Sequence, residues 1–132
     1  METIAVRRVS IPIDRAVEER PTVLLVTGDA DLRASAARAL AAADYHVIQA
    51  AHSGHALLRC LDAPRIDVLL TELAMDDSSG PALVRILRRH HPDVRPVYFA
   101  QAGTPECGGV LVRPFTRDEL LREVEALVTA CP

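Results

Sequence analysis

The stretch Asp67-Val-Leu-Leu-Thr-Glu72-Leu-Ala-Met-Asp-Asp-Ser-Ser-Gly80 constrains the fold more than any other part of the chain. A short continuous apolar run reads as a strand buried on both faces, as in a parallel sheet covered by helices. The run ends in a carboxylate, Glu72, and polar turn residues follow at once. This order delivers an acid to the carboxyl edge of a central strand, where open α/β sheets hold their ligands.

Around this stretch, strand and helix patterns alternate. Thr22–Val26, Tyr45–Gln49, Pro96–Ala100 and Val110–Val112 are short β-rich runs, and Asp31–Ala43 and Ser53–Leu61 are helical, the latter with Leu57, Leu58 and Leu61 inward. A third helix around Leu83, Ile86 and Leu87 starts at Ser79-Gly80-Pro81 and ends before Pro92. In the last helix Thr116 and Glu119 stand at capping-box spacing, with Phe115 and Leu120 placed for a hydrophobic staple. Leu120, Leu121, Val124, Leu127 and Val128 then form one apolar stripe. Together these patterns predict one α/β domain over residues 21–132. Residues 1–20 read as an N-terminal extension, an arm or an extra strand, because the alternation of Ile4, Val6, Val9, Ile11 and Ile13 is interrupted by Pro12.

Composition narrows the function classes. A chain of 132 residues has room for one hydrophobic core. The net charge is -3 and all 15 basic residues are arginines. That balance lacks the positive footprint of a nucleic-acid binder, so no nucleic-acid partner is expected. No apolar run reaches the roughly 20 residues that span a bilayer, so no membrane partner is expected either. Cys60, Cys107 and Cys131 share no metal-ligand spacing, and their odd number fits a reducing cytoplasm.

Three stretches carry a resemblance to a known family. They are Val23-Leu-Leu-Val-Thr-Gly-Asp-Ala-Asp-Leu-Arg33, Asp44 to Leu61 with Tyr45, Val47, Ala50, Gly54, Ala56 and Leu57, and Val112-Arg-Pro-Phe115. In order and at near-correct spacing over residues 21–130, they resemble the receiver domain of two-component response regulators. The resemblance implies a flavodoxin-like, doubly wound, parallel five-stranded sheet of order 2-1-3-4-5. It also implies Mg²⁺ held by an acidic pair after strand 1, a phosphorylated Asp ending strand 3, a Thr or Ser ending strand 4 and a Lys after strand 5.

This chain departs from the family at each of those positions. The acidic pair maps onto Thr27 and Gly28, with Asp29 one residue further on. Glu72 replaces the acceptor Asp, Gln101 the hydroxyl residue, and Arg113 the Lys. A longer acid displaces the nucleophile by about a bond length, where about 1 Å can cost roughly a hundredfold in rate. The set reads as a degenerate phosphorylation site with no metal or cofactor, in which Glu72 and Arg113 can pair. Only eleven residues, 102–112, separate Gln101 from Arg113. The family's helix 4 is therefore expected to be missing or replaced by a short loop, since Gly103, Pro105, Gly108 and Gly109 oppose a helix there. An uncovered interaction surface is expected around Tyr98, Ala100 and Leu111 or their opposite-face neighbours.

The expected function is that of an atypical, stand-alone pseudo-receiver, not an enzyme, acting by phosphorylation-independent contact with a protein partner, a signalling protein or one related to kinases. A small-molecule sensor and a receiver phosphorylated at a non-standard acid are the open alternatives, and a second copy of the chain, as a homodimer, is a further candidate partner.

Overall fold

The computed structural model describes residues 20–104 and 109–129. The expectations for residues 1–19, Cys107 and Cys131 lie outside them. The elements run β1 (Thr22–Val26), α1 (Ala30–Ala42), β2 (His46–Ala50), α2 (Ser53–Asp62), β3 (Val68–Glu72), α3 (Gly80–Leu87), β4 (Arg95–Ala100), β5 (Val110–Val112) and α4 (Arg117–Thr129). The strands form one sheet in the order β2-β1-β3-β4-β5, every pair parallel.

Successive strand side chains point to opposite faces, so each central strand feeds two cores. Val23, Leu25, Leu70, Val97 and Phe99 pack with Leu40 of α1 and with Leu120 and Val124 of α4. Leu24, Val26 and Leu69 pack on the other face with Ala56 and Cys60 of α2 and with Leu83, Val84 and Leu87 of α3. Strands buried on both faces explain why β1 and β3 are continuous apolar runs.

Local chemistry sets the helix starts. Asp29, His52 and Ser79 cap α1, α2 and α3 by accepting backbone N–H groups through their side chains. Before α4, Thr116 N–H donates to Glu119 at 2.8 Å and Glu119 N–H donates to the Thr116 hydroxyl at 3.1 Å, a reciprocal capping box. Gly80 permits α3 to start against the sheet. A Cβ there would stand 2.7 Å from both the Glu72 carbonyl oxygen and the Tyr98 ring.

Among the described residues there is no helix between β4 and β5, and the fourth helix of the chain is the C-terminal one. Gly109 enters β5 at φ +83°, a conformation that favours glycine. The strand runs parallel to β4, which brings residue 113 to the same edge as residue 72.

Two expectations about facing are corrected. Leu58 and Leu61 do not point inward: they are 65% and 62% exposed. The buried stripe of α2 is Ser53, Ala56 and Cys60, at spacings of three and four, and these small side chains bring the helix close to the sheet. Leu58 and Leu61 fall on the other side of the wheel. The surface expected around Tyr98, Ala100 and Leu111 is not open at two of those positions, because Ala100 and Leu111 are 4% and 5% exposed. Leu111 shares the face of its β4 partner Phe99, and Tyr98 is half-buried against the site of Gly80. The half-buried side chains of β5 are Val110 and Val112.

Candidate functional site

Parallel strands end at one edge, so residues far apart in sequence converge there. Thr27 follows β1, Glu72 ends β3, Gln101 follows β4 and Arg113 follows β5. The Arg113 guanidinium donates through Nη2 to Glu72 Oε2 at 2.5 Å. The Thr27 hydroxyl donates to the same oxygen, also at 2.5 Å. This three-residue cluster ties β1, β3 and β5 together across the sheet edge. The Glu72 and Arg113 side chains are 14% and 25% exposed, so the pair is shielded from most, but not all, of the solvent.

Neighbouring groups hold these three in place. Thr27 is fully buried, its hydroxyl accepts from Asp29 N–H at 3.1 Å, and its carbonyl accepts from Arg33 Nη1 at 2.6 Å. The Arg113 guanidinium lies 5.9 Å from the centre of the Phe99 ring, which itself stacks on Phe115 at 5.3 Å. Cation–π attraction and the ion pair therefore both fix the arginine. Arg33 was not anticipated from sequence. Its place four residues after the helix cap Asp29 puts it one turn above the site, a spacing that could have revealed it.

The remaining predicted residues surround this cluster without joining it. Asp29 points its carboxylate along α1, where Oδ1 accepts from the N–H groups of Asp31 and Leu32 at 3.1 and 3.0 Å. Gly28 and Gln101 are exposed. Both line a cleft of about 430 Å³ that also takes in His52, Glu72, Met75 and Arg113. Asp77, on the rim, accepts from the Ser53 hydroxyl at 2.6 Å. That hydrogen bond, helped by the backbone N–H groups of Asp77 and Gly54 and by His52, holds the Asp77 carboxyl below its ordinary value. The Ser53–Asp77 link, spanning 24 residues, had no signal in the sequence.

This donor set does not fit Mg²⁺, which needs near-octahedral oxygen ligands, usually including carboxylates. Thr27 spends its hydroxyl proton on Glu72, Gly28 has no side chain, Asp29 is committed to a helix cap, and Glu72 is neutralised by Arg113. Among the described residues no group of three or more His, Cys, Asp or Glu side chains could hold a metal ion.

Comparison with known proteins gives a consistent picture. A family model described as "Response regulator receiver domain" matches residues 23–125. The chain is 27% identical over 117 residues to the response regulator receiver protein CpdR of Brucella abortus, covering 82% of this chain and 97% of that protein. It is 30% identical over 118 residues to the sensor kinase CckA of the same organism, covering 81% of this chain but only 12% of the kinase. A response regulator receiver protein from Sinorhizobium medicae superposes with a TM-score of 0.74 at 24% identity, covering 86% of this chain and 98% of that one.

Proposed function

The chain belongs to the response regulator receiver domain family, and from that premise we propose that it is an atypical receiver acting through protein–protein contact without phosphorylation. The observation that carries this reading is the double engagement of Glu72 Oε2 by Arg113 and Thr27. A phosphoryl group brings about two negative charges and needs cations to receive it. Here the cation at the edge of β5 is already paired, and the two residues in place of the metal-binding acids are a hydroxyl and a glycine. The Glu72–Arg113 pair then acts as a fixed internal substitute for the phosphate–cation contact, and holds the sheet edge in one arrangement.

Titrating Mg²⁺ together with a small phosphodonor into ¹⁵N-labelled protein tests this. The amides of Gly28, Glu72 and Arg113 are expected to stay in place. Saturable shifts confined to those three would overturn the reading.

The 430 Å³ cleft beside the pair favours one second reading, a small-molecule sensor. Under that reading a metabolite, and not a protein partner, raises the melting temperature.

A further inference from the structure

Helices α1, α3 and α4 are capped by oxygen: the Asp29 carboxylate, the Ser79 hydroxyl, and Thr116 with Glu119. The cap of α2 is an imidazole. His52, in extended backbone, accepts the His55 N–H through Nδ1 at 3.1 Å. His55 answers through its own Nδ1, which accepts the Ala51 N–H at 3.4 Å, the longer of the two bonds. The rings stand 5.9 Å apart. This is the reciprocity of a capping box, with two imidazoles in place of a hydroxyl and a carboxylate.

A hydroxyl keeps its lone pairs near neutral pH, whereas an imidazole loses its acceptor there. Nδ1 accepts only in the neutral ring with its proton on Nε2; imidazolium donates from both nitrogens and accepts at neither. It also adds positive charge at the positive end of the helix dipole. The groups around His52 pull the other way. Asp77, on the loop before α3, lies near enough to attract a charged ring. The cleft that His52 lines is bordered by Asp29, Asp76 and the Glu72–Arg113 pair. On α2 itself the first charged side chain is Arg59, one turn beyond His55. His52 is exposed, so its ring exchanges protons with bulk solvent. We propose that His52 is a proton-operated cap: the neutral ring closes the first turn of α2, and the protonated ring releases the His55 N–H and turns to the carboxylate of Asp77, loosening one wall of the cleft. Nothing in this device depends on whether Glu72 is phosphorylated, so it stands apart from the proposed function.

A pH titration of the full ¹⁵N-labelled chain, followed by NMR and amide hydrogen exchange, tests it. At about pH 8 the His52 ring is expected to carry its proton on Nε2. From there to about pH 5 the protection factor of the His55 amide is expected to fall about fivefold, the factor that corresponds to a cap worth ~1 kcal/mol. The amides of Leu32 and Ala82, capped by Asp29 and Ser79, report general unfolding and are expected to keep their protection. His52→Asn, and as a second variant His52→Ser, retain an acceptor that does not titrate and are expected to abolish the loss of protection at His55. Asp77→Asn removes the attraction for the charged ring and is expected to move that loss to lower pH. Protection at His55 that does not change, a loss shared by Leu32 and Ala82, a loss that survives in both His52 variants, or one unshifted in Asp77→Asn would each overturn the proposal.

Discussion

Replacing Arg113 by Met, which keeps the stem and removes the guanidinium, leaves the Glu72 carboxylate with Thr27 as its remaining donor of the two on Oε2. Breaking a fully buried ion pair costs about 3–5 kcal/mol, and breaking an exposed one about 0–1. With the partners 14% and 25% exposed, solvent screens part of the interaction, and about 2 kcal/mol is the expected loss. For a chain of this size that lowers the melting temperature by roughly 6–10 °C. Glu72→Gln keeps an acceptor for the Thr27 hydroxyl, removes the charge, and is expected to cost about 1 kcal/mol. In Glu72→Gln/Arg113→Met no unpaired charge remains, so the double variant should be about 1–2 kcal/mol more stable than the sum of the single effects. Urea unfolding of the four proteins closes the cycle. Strict additivity, or an Arg113→Met cost below about 0.5 kcal/mol, would refute the view that the pair organises the sheet edge.

Two further outcomes follow from the same geometry. Gly80→Ala improves helix propensity but drives a Cβ to within 2.7 Å of the Glu72 carbonyl and the Tyr98 ring, so a net destabilisation of about 1–3 kcal/mol is expected by thermal unfolding. A more stable variant would mean that α3 does not approach the sheet this closely. Asp77, whose carboxyl is held low chiefly by the Ser53 hydroxyl, contributes stability that is present above the unfolded-state value and lost as pH falls through the folded-state value. Ser53→Ala should therefore lower the urea midpoint at pH 7, with the gap to wild type closing below about pH 4. A gap unchanged in acid would assign the Ser53 effect to packing alone.

The sheet was legible because each strand carried its own signal. The continuous apolar runs of β1 and β3 pointed to a parallel sheet, and the strand order followed from the resemblance to the receiver family. The convergence of Thr27, Glu72, Gln101 and Arg113 followed from topology, since consecutive parallel strands must end at one edge. Helix facing was less legible. Leu58 and Leu61 look like core residues until the close approach of α2 through Ser53, Ala56 and Cys60 is known, because leucine alone does not say which side of a wheel is buried. Of the two faces left open for an uncovered surface, Ala100 and Leu111 proved buried, while Val110 and Val112 beside Leu111 are half-buried. Removing a helix from a crossover exposes only one face of the strands beneath it, and Leu111 turned to the face that α4 covers. Contacts between distant side chains, such as Ser53 with Asp77, have no periodicity to reveal them. Arg33 was recoverable in principle, because its spacing from a helix cap placed it over Thr27.

The most direct measurement is the intact mass of the protein after incubation with Mg²⁺ and a small-molecule phosphodonor, with a phosphorylatable receiver as positive control. With Glu72 held by Arg113 and Thr27, and Asp29 held by the start of α1, the mass is expected to remain unchanged. A gain of one phosphoryl group, mapped by fragmentation to Glu72 or Asp29, would contradict the account.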